Sequence, residues 1–163
     1  DLKGKADEFD REIIGIEAGA GLTEASKDKV IPEYGLGDEY TVKTSSTPAM
    51  LEELKRSIDA RKPIVVTLWH PHWAYSAYQL KDLEDPKGAL GGTETISVIG
   101  KPGFGEDFPE VTKWIKNFSM TDEQLASLEN DIRKAGEGNE GKGVDTWLQN
   151  NPDFGASLGM PAS

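Results

Sequence analysis

The chain has 163 residues, 36 % of them hydrophobic and 29 % charged, the profile of a folded chain with enough length for a real core. A formal net charge of −11 with no Lys/Arg stripe to offset it excludes nucleic acid as a partner, and the absence of cysteine excludes disulfides, thiolate nucleophiles and zinc–thiolate sites. No apolar run has the length of a membrane span and no signal peptide is visible, while the opening "DLKGKADEFD" is charged, linker-like and without an initiator Met, as in a processed or excised fragment.

In chain order, "EIIGIE" (12–17) reads as a strand that runs into the Gly-rich turn "AGAG". Leu22, Ala25, Ser26, Lys29 and Val30 then have helical spacing, stopped by Pro32 and Gly35. "EYTVKT" (39–44) alternates like a strand. "SSTPAMLEELKRSIDARKP" predicts the clearest helix: Ser/Thr cap, Pro48 in the first turn, Met50, Leu51, Leu54 and Ile58 as a buried stripe, and Lys55, Arg56 and Arg61 late, where the helix dipole favours cations. "PIVVTLW" (63–69) is almost continuously apolar, as expected for a central strand of a parallel sheet covered on both faces.

"HPHWAYSAY" predicts a short helix after a proline. "QLKDLEDP" reads as extended and then turning, "GALGG" as a loop, and "TETISVIGKPGF" as a further strand broken at "KPG". Two amphipathic helices follow, around Pro109–Phe118 and Thr121–Lys134, the second opened by a Thr121/Gln124 capping box. "AGEGNEGKG" reads as a loop, "VDTWLQNNPDF" as a last short helix, and "GASLGMPAS" as a frayed tail. The element order predicts an α/β layer fold with a mostly parallel sheet flanked by helices.

Two stretches carry chemistry. In "EAGAGLTEAS" a strand, a Gly-x-Gly turn and a helix start bring bare N–H groups to a positive helix end. This is either a plain connection or a cradle for a carboxylate-sized anion. The third glycine of a dinucleotide fingerprint is replaced by Glu24, and no Gly-Lys-Ser/Thr follows, so neither nucleotide motif is met. In "LWHPHW", Trp69 ends the most apolar strand at the rim where α/β folds take ligands, and is either core or a ring face for a cation. Trp73 has the same two readings.

His70 and His72 are the only histidines, with no cysteine to complete a zinc set, so their expected role is hydrogen bonding at a helix start. A small metal-dependent hydrolase using His70 and His72 is the alternative. No nucleophile elbow or paired base accompanies it, and neither enzyme activity nor a cofactor is expected. Ser45, Ser46 and Thr47 are expected as helix caps, Trp114 and Trp147 as packing anchors, and "EDFPE" and "DEQLASLEND" as solvated faces.

Three stretches, "GKADEFDREIIGIEAGAGL", "TPAMLEELKRSIDARKPIVVTLWHPHW" and "YQLKDLEDPK", continuing through "ETISVIGKPGF", resemble the substrate-binding proteins of glycine-betaine and related quaternary-ammonium ABC transporters. The resemblance implies a type II periplasmic-binding-protein-like lobe and a small quaternary-ammonium ligand whose head sits among aromatic rings and whose carboxylate is held by backbone N–H groups. Carried over by position, the cradle falls on Ala20, Gly21 and Leu22 and one cage wall on Trp69. His72, within a similar W-x-P-His-W pattern, adds a hydrogen bond to the ligand. The resemblance further implies an extracytoplasmic receptor, periplasmic or lipid-anchored, and an ABC permease as partner. Relatives are longer, so residues 1–10 are expected to be an interlobe linker, 11–135 the ligand-binding lobe and 136–163 a C-terminal helix and tail, with a second lobe of the same protein missing.

Overall fold

A computed structural model describes residues 2–92 and 95–159. The chain divides into two compact units, Asp1–Leu68 with Asp82–Glu94, and Trp69–Lys81 with Thr95–Ser163.

In the first unit a 3-10 turn at Ala6–Phe9 leads into β1 (Glu12–Ile14). β1 pairs in parallel with β2 (Thr41–Lys43), Glu12 opposite Thr41 and Ile14 opposite Lys43. The "PIVVT" segment lies along β1 as well: Ile14 N–H donates to Val65 O and Thr67 N–H to Ile14 O, both at 2.9 Å, around one parallel bridge, Ile14–Val66. The sheet is therefore parallel, as expected, but small. The expected central strand at 63–69 is corrected to this short pairing. Ile64, Val65 and Val66 are only half-buried, because among the described residues a strand lies on one side of them and not on the other.

Residue alternation sorts two apolar faces. Ile13, Val42 and Val65 pack with Val30, Ile31, Tyr34, Leu36 and Tyr40, whereas Ile14, Ile16, Val66 and Leu68 pack with Met50 and Leu51. The first face is covered by a helix that begins as α1 (Gly21–Ala25), widens into a π turn (Ser26–Val30) and finishes as α2 (Ile31–Glu33). In the wide turn the N–H of Ile31 donates five residues back to Ser26 O, directly ahead of Pro32, which has no N–H to give. Gly35, at φ +62°, then closes the helix: its N–H reaches Pro32 O at 3.1 Å and that of Leu36 reaches Ile31 O at 2.9 Å, a Schellman motif whose apolar pair, Ile31 and Leu36, joins the core.

The second face is covered by α3 (Thr47–Asp59), which buries Met50 and Leu54 and is capped by Ser46, whose Oγ accepts the Ala49 N–H at 3.3 Å. Arg61 lies beyond the helix end, at φ +55°. The loop after Asp82 is tied to α2 through Asp85. Its Oδ1 accepts the Tyr34 hydroxyl at 2.5 Å and the Ala89 N–H at 3.0 Å, and its Oδ2 accepts the Leu90 N–H at 2.8 Å.

The second unit is helical among its described residues: α4 (Trp73–Ala77), α5 (Phe104–Asp107), α6 (Pro109–Asn117), α7 (Asp122–Ala135), α8 (Glu140–Asn150) and α9 (Pro152–Ser157). The α7 capping box forms as expected, Gln124 N–H to Thr121 Oγ1 at 3.2 Å and Thr121 N–H to Gln124 Oε1 at 2.9 Å. Both α4 and α8 pack on α7. Trp147 anchors this packing, as expected: it is 2 % exposed, donates Nε1–H to Ser127 Oγ at 2.7 Å and meets Phe154 edge-on. Trp114 is half-buried.

Three expectations are corrected here. α8 begins at Glu140, inside the stretch read as loop, with the Glu140 carboxylate accepting the Gly138 N–H at 3.0 Å. Pro152 divides the expected last helix into α8 and α9, since a proline is tolerated at a helix start and not in its interior. The strand expected in "TETISVIGKPGF" does not form over 95–103. Ile96 and Ile99 are 75 % and 91 % exposed, because β-propensity makes a strand only where another edge accepts its hydrogen bonds, and none among the described residues does. The first two residues of that stretch, Thr93 and Glu94, and Met160–Ser163 of the expected frayed tail lie outside the described residues.

Candidate functional site

The structure places Ala20, Gly21 and Leu22 in the first unit and Trp69 and His72 in the second.

Ala20 is the N-cap of α1, with extended backbone and no side chain able to cap. Its own N–H is used, donating to Glu17 O at 3.0 Å, and the first helical bond is Glu24 N–H to Ala20 O at 3.0 Å. The amides of Gly21 and Leu22 therefore enter the helix without an intrahelical acceptor, at the positive end of the backbone dipoles. Gly19 and Gly21 are not glycines for the sake of the fold. Neither has a positive φ, and a Cβ on either would meet nothing within 4 Å.

The turn itself is braced. Glu17 accepts the Thr47 N–H and the Thr47 hydroxyl, both at 2.9 Å, and Ser45 Oγ donates to Gly15 O at 2.8 Å. The Thr47 amide, with the Glu17 amide and the Thr47 hydroxyl after it, holds the Glu17 carboxyl below its usual range. Ser46 caps α3 as expected, whereas Ser45 and Thr47 instead tie the glycine turn to the start of that helix. Sequence reasoning missed Glu17, because no local spacing relates it to a helix thirty residues on.

In the second unit the aromatic cluster is a chain of ring contacts. Trp69, 39 % exposed, meets His72 edge-on at 4.9 Å, and His72 meets Trp73 at 5.3 Å. Trp73 lies 6.0 Å from Tyr78. His70 stacks on Tyr75 at 3.7 Å, across a cis His70–Pro71 bond from His72.

His72 is buried and serves as the N-cap of α4, its Nδ1 accepting the Ala74 N–H at 3.1 Å. The expected helix-start role is thus realised. Burial also lowers its pKa below the ordinary imidazole value, so the neutral ring is favoured. With Nδ1 acting as acceptor, the ring proton sits on Nε2, which is then a donor.

Trp73 is half-buried, and one ring face is taken by the Arg133 guanidinium, 4.3 Å from the ring centroid. Glu129 corrects the expectation that "DEQLASLEND" is a solvated face: Asp122 and Glu123 are exposed, but Glu129 turns inward, and burial raises its pKa. "EDFPE" is exposed as expected. Among the described residues no three His, Asp or Glu side chains converge as a metal set would. No helix among them is long and apolar enough to cross a membrane.

Comparison with known proteins gives these groups a context. The family described as the substrate binding domain of ABC-type glycine betaine transport systems matches residues 1–150. The glycine betaine/carnitine transport binding protein of Listeria monocytogenes is 35 % identical over 152 residues, 93 % of this chain and 50 % of that protein. The glycine betaine/L-proline-binding protein of Borrelia burgdorferi aligns with a TM-score of 0.69 at 32 % identity, over 96 % of this chain and 58 % of that one. Lactococcal OpuAC, solved in a closed-liganded conformation with glycine betaine, aligns with a TM-score of 0.69 at 32 % identity, over 91 % of this chain and 57 % of that one.

This chain shares the α/β, periplasmic-binding-protein-like fold of those structures and spans about half the length of the relatives it matches. It belongs to the family of substrate-binding domains of ABC-type glycine betaine transport systems.

Proposed function

We propose that this chain is the ligand-binding part of a receptor for glycine betaine or a related quaternary-ammonium solute, working outside the cytoplasm, periplasmic or lipid-anchored, and delivering its ligand to an ABC permease without chemistry on it. The observation that carries the reading is the exposed indole of Trp69 set edge-on to a buried, neutral His72, in a chain of this family.

A trimethylammonium group has no N–H, so a charge-assisted hydrogen bond to it is impossible and a ring face is the fitting partner, worth about 0.5–2 kcal/mol. Trp69 supplies such a face. His72 Nε2–H suits an acceptor on the same solute. The bare amides of Gly21 and Leu22, after the Ala20 cap, suit a carboxylate, and open space around Gly19 and Gly21 lets an anion approach the backbone. Residues 1–10 then act as the interlobe linker, 11–135 as the ligand-binding lobe and 136–163 as the C-terminal helix and tail. A second lobe of the same receptor completes the cage, and its closure over the ligand is what the permease reads. The hydrolase reading loses ground because His72 Nδ1 is committed to the Ala74 amide.

The test is Trp69→Ala in the full-length receptor, measured by titration calorimetry with glycine betaine. Loss of one strong cation–π contact weakens binding about tenfold or more with the fold intact. Unchanged affinity would make Trp69 a packing residue and remove the mechanism.

A further inference from the structure

α4 is only five residues long, too short to hold its place by its own hydrogen bonds. It packs on α7, and Arg133 of α7 covers a face of its first residue, Trp73. The guanidinium carbon lies 4.3 Å from the centroid of the indole ring, within reach of a cation–π contact. The guanidinium is fixed in turn by Asn130, one turn earlier on α7. It donates from Nε at 3.2 Å and from Nη2 at 2.9 Å to Oδ1 of that side chain, which is 4 % exposed. Two bonds to one buried oxygen set the plane of the fork. Arg133 is exposed overall, and a surface arginine keeps its rotamer freedom unless something is gained by fixing it.

What is gained lies on the other side of Trp73. His72 is the residue before it and caps α4, its Nδ1 accepting the amide of Ala74, the residue after it. The imidazole and the Trp73 indole lie 5.3 Å apart, and His72 meets Trp69 edge-on at 4.9 Å. Displacing Trp73 therefore moves both the amide that His72 accepts and a ring that it leans on. Arg133 also sets a cation of the chain's own on Trp73, so that ring face is closed to a ligand's ammonium, and Trp73 serves there as anchor rather than wall.

We propose that Arg133 is a positioning residue for the ligand site: fixed by Asn130, it clamps Trp73 on α7 and so holds the His72 imidazole in the pose that keeps Nδ1 on the Ala74 amide and offers Nε2–H. The proposal rests on the ligand role given above to His72 and Trp69, but its first readout needs no ligand. The chain has two histidines, so imidazole ¹⁵N spectra of the 163-residue protein contain two sets of signals. The shift of Nδ1 follows its own hydrogen bond and protonation far more than the rings nearby, so it reports the pose of His72 and not merely a movement of Trp73.

Arg133→Met keeps length and apolar cover but removes the fork and the charge. The His72 Nδ1 signal then moves toward that of an imidazole whose two tautomers exchange, and glycine betaine binding by the full-length receptor, measured by titration calorimetry, weakens about fivefold. Arg133→Lys keeps a cation for the ring but cannot make both bonds to Asn130. It moves the same signal part of the way, weakens binding about twofold, and serves as the second variant should the methionine variant fail to fold. Lys134→Ala, one residue on and exposed, changes neither readout. A wild-type Nδ1 signal in both Arg133 variants would overturn the proposal. So would wild-type affinity in both with only a lowered unfolding midpoint, since Arg133 would then be packing alone. A wild-type full-length receptor that gives no heat with glycine betaine would refute the ligand reading instead, leaving the Nδ1 comparison to decide whether Arg133 holds His72.

Discussion

Gly143 is where the helical unit tolerates least. It is buried in α8 against α7, and a Cβ built on it falls 2.8 Å from the backbone N of Ile132 and 2.9 Å from Asp131 O, closer still to Ile132 Cα. Those atoms are helix backbone, so nothing can swing aside. Gly143→Ala must push the two helices apart and loosen the packing around Trp147. Overpacking of this kind costs about 1–3 kcal/mol, here at the upper end because backbone must move. The better helix propensity of alanine returns about 0.5–1 kcal/mol, for a net loss of about 2 kcal/mol.

Two residues earlier, Gly141 provides the control. A Cβ there meets nothing within 4 Å, so Gly141→Ala keeps only the propensity gain, up to about 0.5–1 kcal/mol. Thermal unfolding by far-UV circular dichroism should lower the midpoint of Gly143→Ala by about 4–8 °C and leave that of Gly141→Ala level or slightly raised. Fluorescence of Gly143→Ala should also shift to the red, since the indole of Trp147, now 2 % exposed, gains access to water. A Gly143→Ala protein as stable as the wild type would refute the close helix approach and the account of unit packing built on it.

Two further predictions concern the first unit. The Leu90 amide, then the Tyr34 hydroxyl and the Ala89 and Gly88 amides, hold the Asp85 carboxyl below its usual range, so its contribution to stability is present above about pH 3.9, the unfolded value, and is lost as pH falls through the lower folded value. Asp85→Asn should therefore unfold earlier than the wild type at neutral pH, with the gap closing in acid; a gap of constant size across a pH series of melting curves would show that the carboxylate charge is not what holds the loop. Gly21→Ala should fold as well as the wild type, since its Cβ points into open space, yet weaken glycine betaine binding by the full-length receptor about tenfold by obstructing the approach to the amides; calorimetric affinity equal to that of the wild type would remove the carboxylate cradle from this turn.

How much of this was legible in the sequence follows from how local each interaction is. α3 and α7 were readable because their caps, Ser46 with Pro48 and Thr121 with Gln124, and their apolar stripes lie within one or two turns. The stop at Gly35 was readable for the same reason, whereas neither the π turn nor the place of Pro32 inside α2, rather than at its end, was. Strands were harder. "PIVVTLW" and "TETISVIGKPGF" have equal claims on propensity, and only the first found an edge to lie on, at Ile14. No window of neighbouring residues contains that information, because a strand is defined by its partner.

The same divide runs through the site. Trp69, His72 and the bare turn at Gly21 announce themselves by residue type: an indole and an imidazole at a strand end, glycines at a helix start. The groups that set their chemistry do not. Glu17 reaches thirty residues forward to Thr47, and Arg133 sixty back to the face of the Trp73 ring. A ring that offers its π face needs only to be present. A histidine that offers one particular N–H needs its other nitrogen occupied, and His72 meets that need with the Ala74 amide. On the proposed reading, ring surface answers the cation and the directional contact falls to His72.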